Sequence, residues 1–194
     1  LMGVRGVASD INNSLDTTVD GIIKDFIKQV SEMPKKIVNG MGSKLEITSN
    51  GWVSNESLLS AELNTFCNIA GMAHPLTTVT TFNYSIISTG QLELSNLFLS
   101  NAEYLNYISA VCIKQLTDKA LKEGYGNIND MILSGASADA KNFSEWTVKN
   151  DSLDIIFNVY QVMPYVMGIQ TVSIPLSDMT NMIDPKGPLS FMYR

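Results

Sequence analysis

The sequence of 194 residues is long enough for one domain with a substantial core and short for two. Hydrophobic residues make up 45% of it and the mean hydropathy is +0.08, values that exclude an intrinsically disordered chain. The formal net charge of −6 disfavours nucleic acid as a partner, because such a surface repels phosphate backbones.

An amphipathic helix is predicted near the start of the chain. Apolar residues recur every three or four positions from Ile11 to Val30, with Ser9 or Asp10 as the expected N-cap and Pro34 as the stop. The Gly- and Asn-containing segment 38–44 (VNGMGSK) then links this helix to residues with a different period.

An antiparallel meander is predicted to follow. Residues alternate between apolar and polar from Leu59 to Ile69 and again from Leu76 to Ile86, the period of half-buried strands. Before them, segment 44–54 (KLEITSNGWVS) carries an Asn-Gly pair and is interpreted as a hairpin or as an earlier strand. A turn is expected at 88–91 (STGQ).

The second half of the chain mixes helices and strands. The patterns predict a helix over 101–122, a short helical turn within 127–135, strands near 143–148, 153–158 and 170–174, and a short helix that begins at Pro175. These elements predict the α+β class, with two main helices packed on an antiparallel sheet in a single domain over residues 1–194.

No membrane span is predicted. The most apolar stretch, 153–176, is interrupted by Asn158, Gln161, Pro164 and Gly168, and its β-branched residues favour buried strands.

The sequence also argues against a reactive centre. One histidine and two cysteines are too few for the usual zinc sites, and no phosphate-binding loop, nucleophile elbow or metalloprotease helix is present. The expectation is therefore a protein that is not an enzyme, with no catalytic residue, no metal and no cofactor.

The two cysteines fall on apolar faces, where we interpret them as small core residues. If the strand and the helix that carry them packed face to face, Cys67 and Cys112 could also form a disulfide, which would indicate an oxidising compartment.

Three aromatic residues are the candidate binding residues. His74 lies in GMAHP (71–75), where two interpretations stay open: it shapes a strand end, the favoured interpretation, or it lines a binding groove. Tyr160 and Tyr165 belong to the bend YQVMPYVMG (160–168), and they suit either recognition or burial with satisfied hydroxyls.

The order of these motifs resembles a known bacterial module. The motifs are INNSLDTTVDGIIKDFI, GMAHPLTTVTTFNYSIISTGQLELSNLF, YLNYISAVCIKQL and FNVYQVMPYVMGIQTVSIPLSDM. The sequence is similar to the extracytoplasmic domain of RsiV-type anti-sigma factors, which also occurs in the N-terminal regions of peptidoglycan deacetylases and in uncharacterised lipoproteins. The resemblance covers roughly residues 10–180, and from it we expect the strand that usually precedes the first helix to be missing or cut off.

The chain departs from the usual pattern of that module at five positions: Ala70, Met72, Ser85, Gln91 and Asn96. Ser85 and Asn96 stand where aspartates are usual, which weakens any role of those positions in coordination or catalysis.

The resemblance implies an extracytoplasmic domain that senses or binds without turning over a substrate. Its implied partners are a basic protein such as lysozyme, which the acidic surface would attract, or peptidoglycan. The alternative is a structural or accessory domain of a larger envelope protein or peptidoglycan-modifying enzyme.

Overall fold

The computed structural model describes residues 2–34, 42–125 and 128–193. This part of the chain forms three α-helices and two antiparallel sheets, joined by short 3₁₀ turns. Most of the predicted linker 38–44 lies outside the described residues.

The first helix is longer than the sequence pattern suggested. Helix α1 extends over Met2–Glu32, so the N-cap expected at Ser9 or Asp10 is wrong, and both residues are exposed within the helix. The apolar residues at helical spacing continue upstream to Val7, and no proline interrupts the chain before it. The helix ends two residues before Pro34, as predicted.

The first sheet has the strand order β1-β2-β3-β4. Its strands are β1 (Lys44–Ser54), β2 (Leu58–Asn68), β3 (Leu76–Ser85) and the short β4 (Gly90–Gln91). Strand β1 is continuous through the Asn50–Gly51 pair, because every residue of β1 pairs with β2. The hairpin turn lies instead at 55–57, where the positive φ angles of Asn55 and Glu56, 46° and 57°, suit the central positions of a tight turn.

The second sheet follows two further helices, α2 (Tyr104–Lys122) and α3 (Asn129–Gly135). Its strands, in the order β5-β6-β7, are β5 (Trp146–Lys149), β6 (Ser152–Phe157) and β7 (Gln170–Pro175). Helix α2 buries Ile108, Cys112 and Leu116 in the main core, which also contains residues of β6 and β7. Within the described ranges, no helix has the length and apolarity that crossing a membrane requires.

The two faces of the first sheet have different neighbours. Helix α1 packs Val7, Ile11 and Leu15 against one face, where Ala61 and Phe82 are buried. We call the opposite face the inner face, because it meets the second sheet. It consists of five rows paired across β1, β2 and β3: Ser54–Leu58–Ser85, Trp52–Ser60–Asn83, Asn50–Glu62–Thr81, Thr48–Asn64–Val79 and Glu46–Phe66–Thr77.

Polar side chains of the inner face hold the second sheet in place. Strand β5 is an edge strand, and its outward backbone groups bond to these side chains. Ser60 Oγ accepts the Val148 amide at 3.0 Å and donates to Asn83 Oδ1 at 2.7 Å. Asn83 Nδ2 in turn donates to the Trp146 carbonyl at 2.8 Å. Two further side chains bond the same edge: Ser54 and Thr81.

The predicted α+β class and antiparallel pairing are confirmed. The strands form two sheets, whereas one was expected, because side chains and not a backbone ladder join β5 to the inner face.

Candidate functional site

The three candidate binding residues come together in space. The His74 ring centroid lies 4.4 Å from that of Tyr165 and 6.4 Å from that of Tyr160, and the two tyrosine rings are 5.5 Å apart. We call His74, Tyr160 and Tyr165 the aromatic cluster. It joins the GMAHP turn before β3 to the bend between β6 and β7, two segments far apart in the chain.

Hydrogen bonds fix the rings of the aromatic cluster. The Pro75 carbonyl oxygen accepts the Tyr165 hydroxyl at 2.8 Å and lies 3.0 Å from His74 Nδ1. Because a carbonyl oxygen only accepts, Nδ1 must carry a proton in this arrangement. In the neutral imidazole, Nε2 then accepts the Tyr160 hydroxyl, 3.2 Å away.

The backbone of both segments adopts conformations that favour glycine or strain other residues. Gly71 has φ 93° and Gly168 has φ 67°, and these two positive φ angles shape the turns that carry the rings. Tyr160 itself has φ 69°. A non-glycine residue in this region costs about 1–3 kcal/mol, and such strain persists where the surrounding structure holds it, often at ligand sites.

The aromatic cluster lies on an accessible surface. Tyr160 is 51% exposed, and the neighbouring Val166 is 76% exposed. A shallow cavity of about 540 Å³ lies beside Tyr165, lined also by Val159, Val166 and Thr77. An ordered set of rings, with His74 and Tyr160 exposed and Tyr165 half-buried, lies next to a hydroxyl-bearing cavity and suits stacking against a flat ligand whose edges make hydrogen bonds.

The described residues contain no group of three or more His, Cys, Asp or Glu side chains arranged to hold a metal ion. The polar contacts of His74 are with one phenol and one backbone carbonyl. These two hydrogen bonds fix the orientation of the imidazole ring at the protein surface.

The disulfide that the sequence permitted is not formed, and both cysteines are free. Cys67 is half-buried on β2, on the face of the first sheet that α1 packs against, whereas Cys112 lies in the core around α2. Strand β2 therefore does not bring Cys67 against Cys112 of helix α2, as a disulfide would require. The interpretation of Cys112 as a core residue is confirmed.

Burial should make the two thiols differ in reactivity. Burial raises the pKa of both, and that of Cys112 to about 12. We expect iodoacetamide at pH 8 to alkylate Cys67 slowly and Cys112 only after unfolding, as measured by peptide mass spectrometry. Protein alkylated in urea is the control, and rapid modification of Cys112 in the native protein would contradict the expected burial.

Sequence reasoning missed Thr77, which lines the cavity beside Tyr165, and its neighbour Phe66 on β2. They pair across β3 and β2 on the inner face. Phe66 stands out as the one aromatic residue on the mostly polar inner face of β2, a signal that could have been noticed. Its position beside Thr77 depends on the strand register, which the sequence alone does not fix.

A protein-family model described as "Protein of unknown function (DUF3298)" matches residues 95–177. Among curated proteins, the chain is 29% identical over 107 residues to the peptidoglycan-N-acetylmuramic acid deacetylase PdaC of Bacillus subtilis. That match covers 55% of this chain and 22% of the deacetylase, so the aligned part spans less than a quarter of the enzyme's length.

Two crystal structures of DUF3298 family proteins have the same fold. The protein from Bacteroides fragilis is 20% identical, with a TM-score of 0.61, and the alignment covers 92% of this chain and 71% of that one. The protein from Pseudomonas aeruginosa is 14% identical, with a TM-score of 0.56, and the alignment covers 78% of this chain and 67% of that one.

Proposed function

We propose that this chain is a non-catalytic domain of the bacterial cell envelope that binds the glycan of the cell wall through the aromatic cluster. The observation that carries the proposal is the preorganised set of three accessible rings, His74, Tyr160 and Tyr165, held by hydrogen bonds and by a strained backbone. Aromatic faces bind the apolar faces of ligand rings, and neighbouring hydroxyl groups bind their polar edges.

Two further observations support this proposal. The similarity to part of a peptidoglycan deacetylase suggests a domain that works beside peptidoglycan, and therefore outside the cytoplasm. The segment matched by the DUF3298 model contains both tyrosines of the cluster. In this view the domain holds a larger envelope protein or enzyme against the wall and does not itself cleave bonds.

Binding should depend on the exposed tyrosine. We expect Tyr160→Ala to weaken binding of soluble N-acetylglucosamine oligomers by about tenfold or more, because it removes one stacking surface and the bond to His74. Isothermal titration calorimetry measures the effect. Tyr125→Ala is the matched control, since Tyr125 is exposed at the end of α2 and should bind no sugar.

The same experiment separates the alternatives. The resemblance to RsiV-type domains and the net charge of −6 favour lysozyme as a second candidate partner. Binding of lysozyme that weakens with salt and ignores Tyr160→Ala, without binding of glycan, would replace the glycan proposal with protein sensing. If the chain binds neither N-acetylglucosamine oligomers nor lysozyme, the accessory structural role is favoured.

A further inference from the structure

The second sheet covers only part of the inner face. Lys149 of β5 lies 4.5 Å above the Trp52 ring. In the next row, burial raises the pKa of the Glu62 carboxyl, and Lys149 and Asp154 of the second sheet are the charged groups beside it. The rows of Trp52 and Glu62 therefore lie under the second sheet.

Parts of two rows at the other end of the inner face line an open surface, because Val79 of the fourth row is buried and its backbone bonds to Asn158. A shallow cavity of about 430 Å³ lies there, and its lining includes five inner-face residues: Glu46, Thr48, Asn64, Phe66 and Thr77. This set combines one aromatic ring with two hydroxyls, one amide and one carboxylate. The carboxylate of Glu46 pairs with Lys44 at 2.8 Å, so the surface gains no net charge at that end.

This open surface is continuous with the aromatic cluster. Thr77 lines both the cavity beside Phe66 and the cavity beside Tyr165. From Thr77 the surface crosses β2 at Phe66 and reaches β1 at Glu46, since these three residues are paired across the strands. The two strand spacings from β3 to β1 extend the surface beyond the aromatic cluster by about 10 Å, which is longer than one sugar ring.

We infer that the open rows extend the glycan site, so that the domain binds a linear chain of several sugars. The inference rests on the proposed function. Phe66 supplies a second stacking surface beyond Tyr165, and Thr48 and Asn64 supply hydrogen bonds to hydroxyl and acetamido groups. Because this end gains no net charge, it favours a neutral polysaccharide over a basic protein.

The dependence of affinity on chain length tests the inference. The probes are N-acetylglucosamine oligomers of two to five units, titrated by calorimetry into the full chain. We expect affinity to rise with oligomer length. Phe66→Ala should remove this gain: the affinity for the pentamer should fall about five- to tenfold, while the affinity for the dimer stays the same. Tyr160→Ala should lower the affinity for oligomers of every length.

One further test variant and one control variant make the result decisive. Thr48→Ala tests the extension without altering a half-buried ring, and Thr171→Ala is the control because it changes another exposed threonine, on β7 of the second sheet. Binding that depends on Tyr160 but not on oligomer length, or a length dependence that Phe66→Ala and Thr48→Ala leave intact, would overturn the extended site and keep the proposed function. A failure of every oligomer to bind would overturn both.

Discussion

Replacing Gly135 with alanine should destabilise the protein by about 3 kcal/mol or more, because the new methyl group has no room. A Cβ at this position would lie 2.0 Å from the carbonyl oxygen of Gln161 and 2.8 Å from its carbonyl carbon. Both are backbone atoms, so no side-chain rotation relieves the clash. Chemical denaturation followed by circular dichroism measures the loss in free energy of unfolding.

A second glycine provides the matched control. Gly21 lies inside α1, and a Cβ there would meet no atom within 4 Å. Gly21→Ala should therefore stabilise the helix by up to about 1 kcal/mol. If Gly135→Ala unfolds at the same denaturant concentration as the parent protein, the close approach of α3 to the segment at Gln161 is wrong.

Replacing Asn83 with leucine is the second substitution for which we expect a large effect, a loss of about 2–4 kcal/mol in the free energy of unfolding. Leucine has a similar shape but neither donates nor accepts. The buried Trp146 carbonyl then loses its donor, and the buried Ser60 hydroxyl loses its acceptor. Unsatisfied buried groups retain their full desolvation cost, which is why the loss is larger than one hydrogen bond is worth.

The control for this substitution is Asn106→Leu. Asn106 is exposed on α2, and its amide donates to the nearby Glu103 carboxylate. Its replacement should change the free energy of unfolding by less than about 1 kcal/mol. Equal effects at the two positions would mean that the join between the sheets depends on apolar packing and not on polar side chains.

The elements of the fold could be predicted largely from periodicity. The two half-buried strands β2 and β3 and the main helix α2 have strong patterns, and the structure places them within a few residues of expectation. The start of α1 could not be placed, because Ser9 and Asp10 are good N-caps that also tolerate an exposed helical position.

The arrangement of the two sheets was beyond sequence reasoning. It depends on single polar side chains such as Ser60 and Asn83, which look like ordinary residues of a polar strand face until the register is known. Once the second sheet buries them, these polar side chains serve a structural role, because their hydrogen bonds hold β5 on the inner face.

The candidate site was predictable only as separate parts. The lone histidine at a strand end and the two tyrosines in a bend were each open to a structural or a binding role, and the structure brings His74, Tyr160 and Tyr165 into one cluster. Whether they bind a ligand stays a prediction. The continuation of the surface past Phe66 needed the pairing of three strands, information that residue types do not carry.

The hydrogen bonds that join the second sheet to the inner face should form late in folding, because they connect residues far apart in the chain. The bonds from Ser54, Ser60 and Asn83 to β5 close loops of 94, 88 and 63 residues. Such distant closures slow folding, and the β1–β3 meander must form before they can be made. During that delay β5 presents a bare edge that invites pairing between chains, so concentrated refolding is the step at which this protein is most exposed to aggregation.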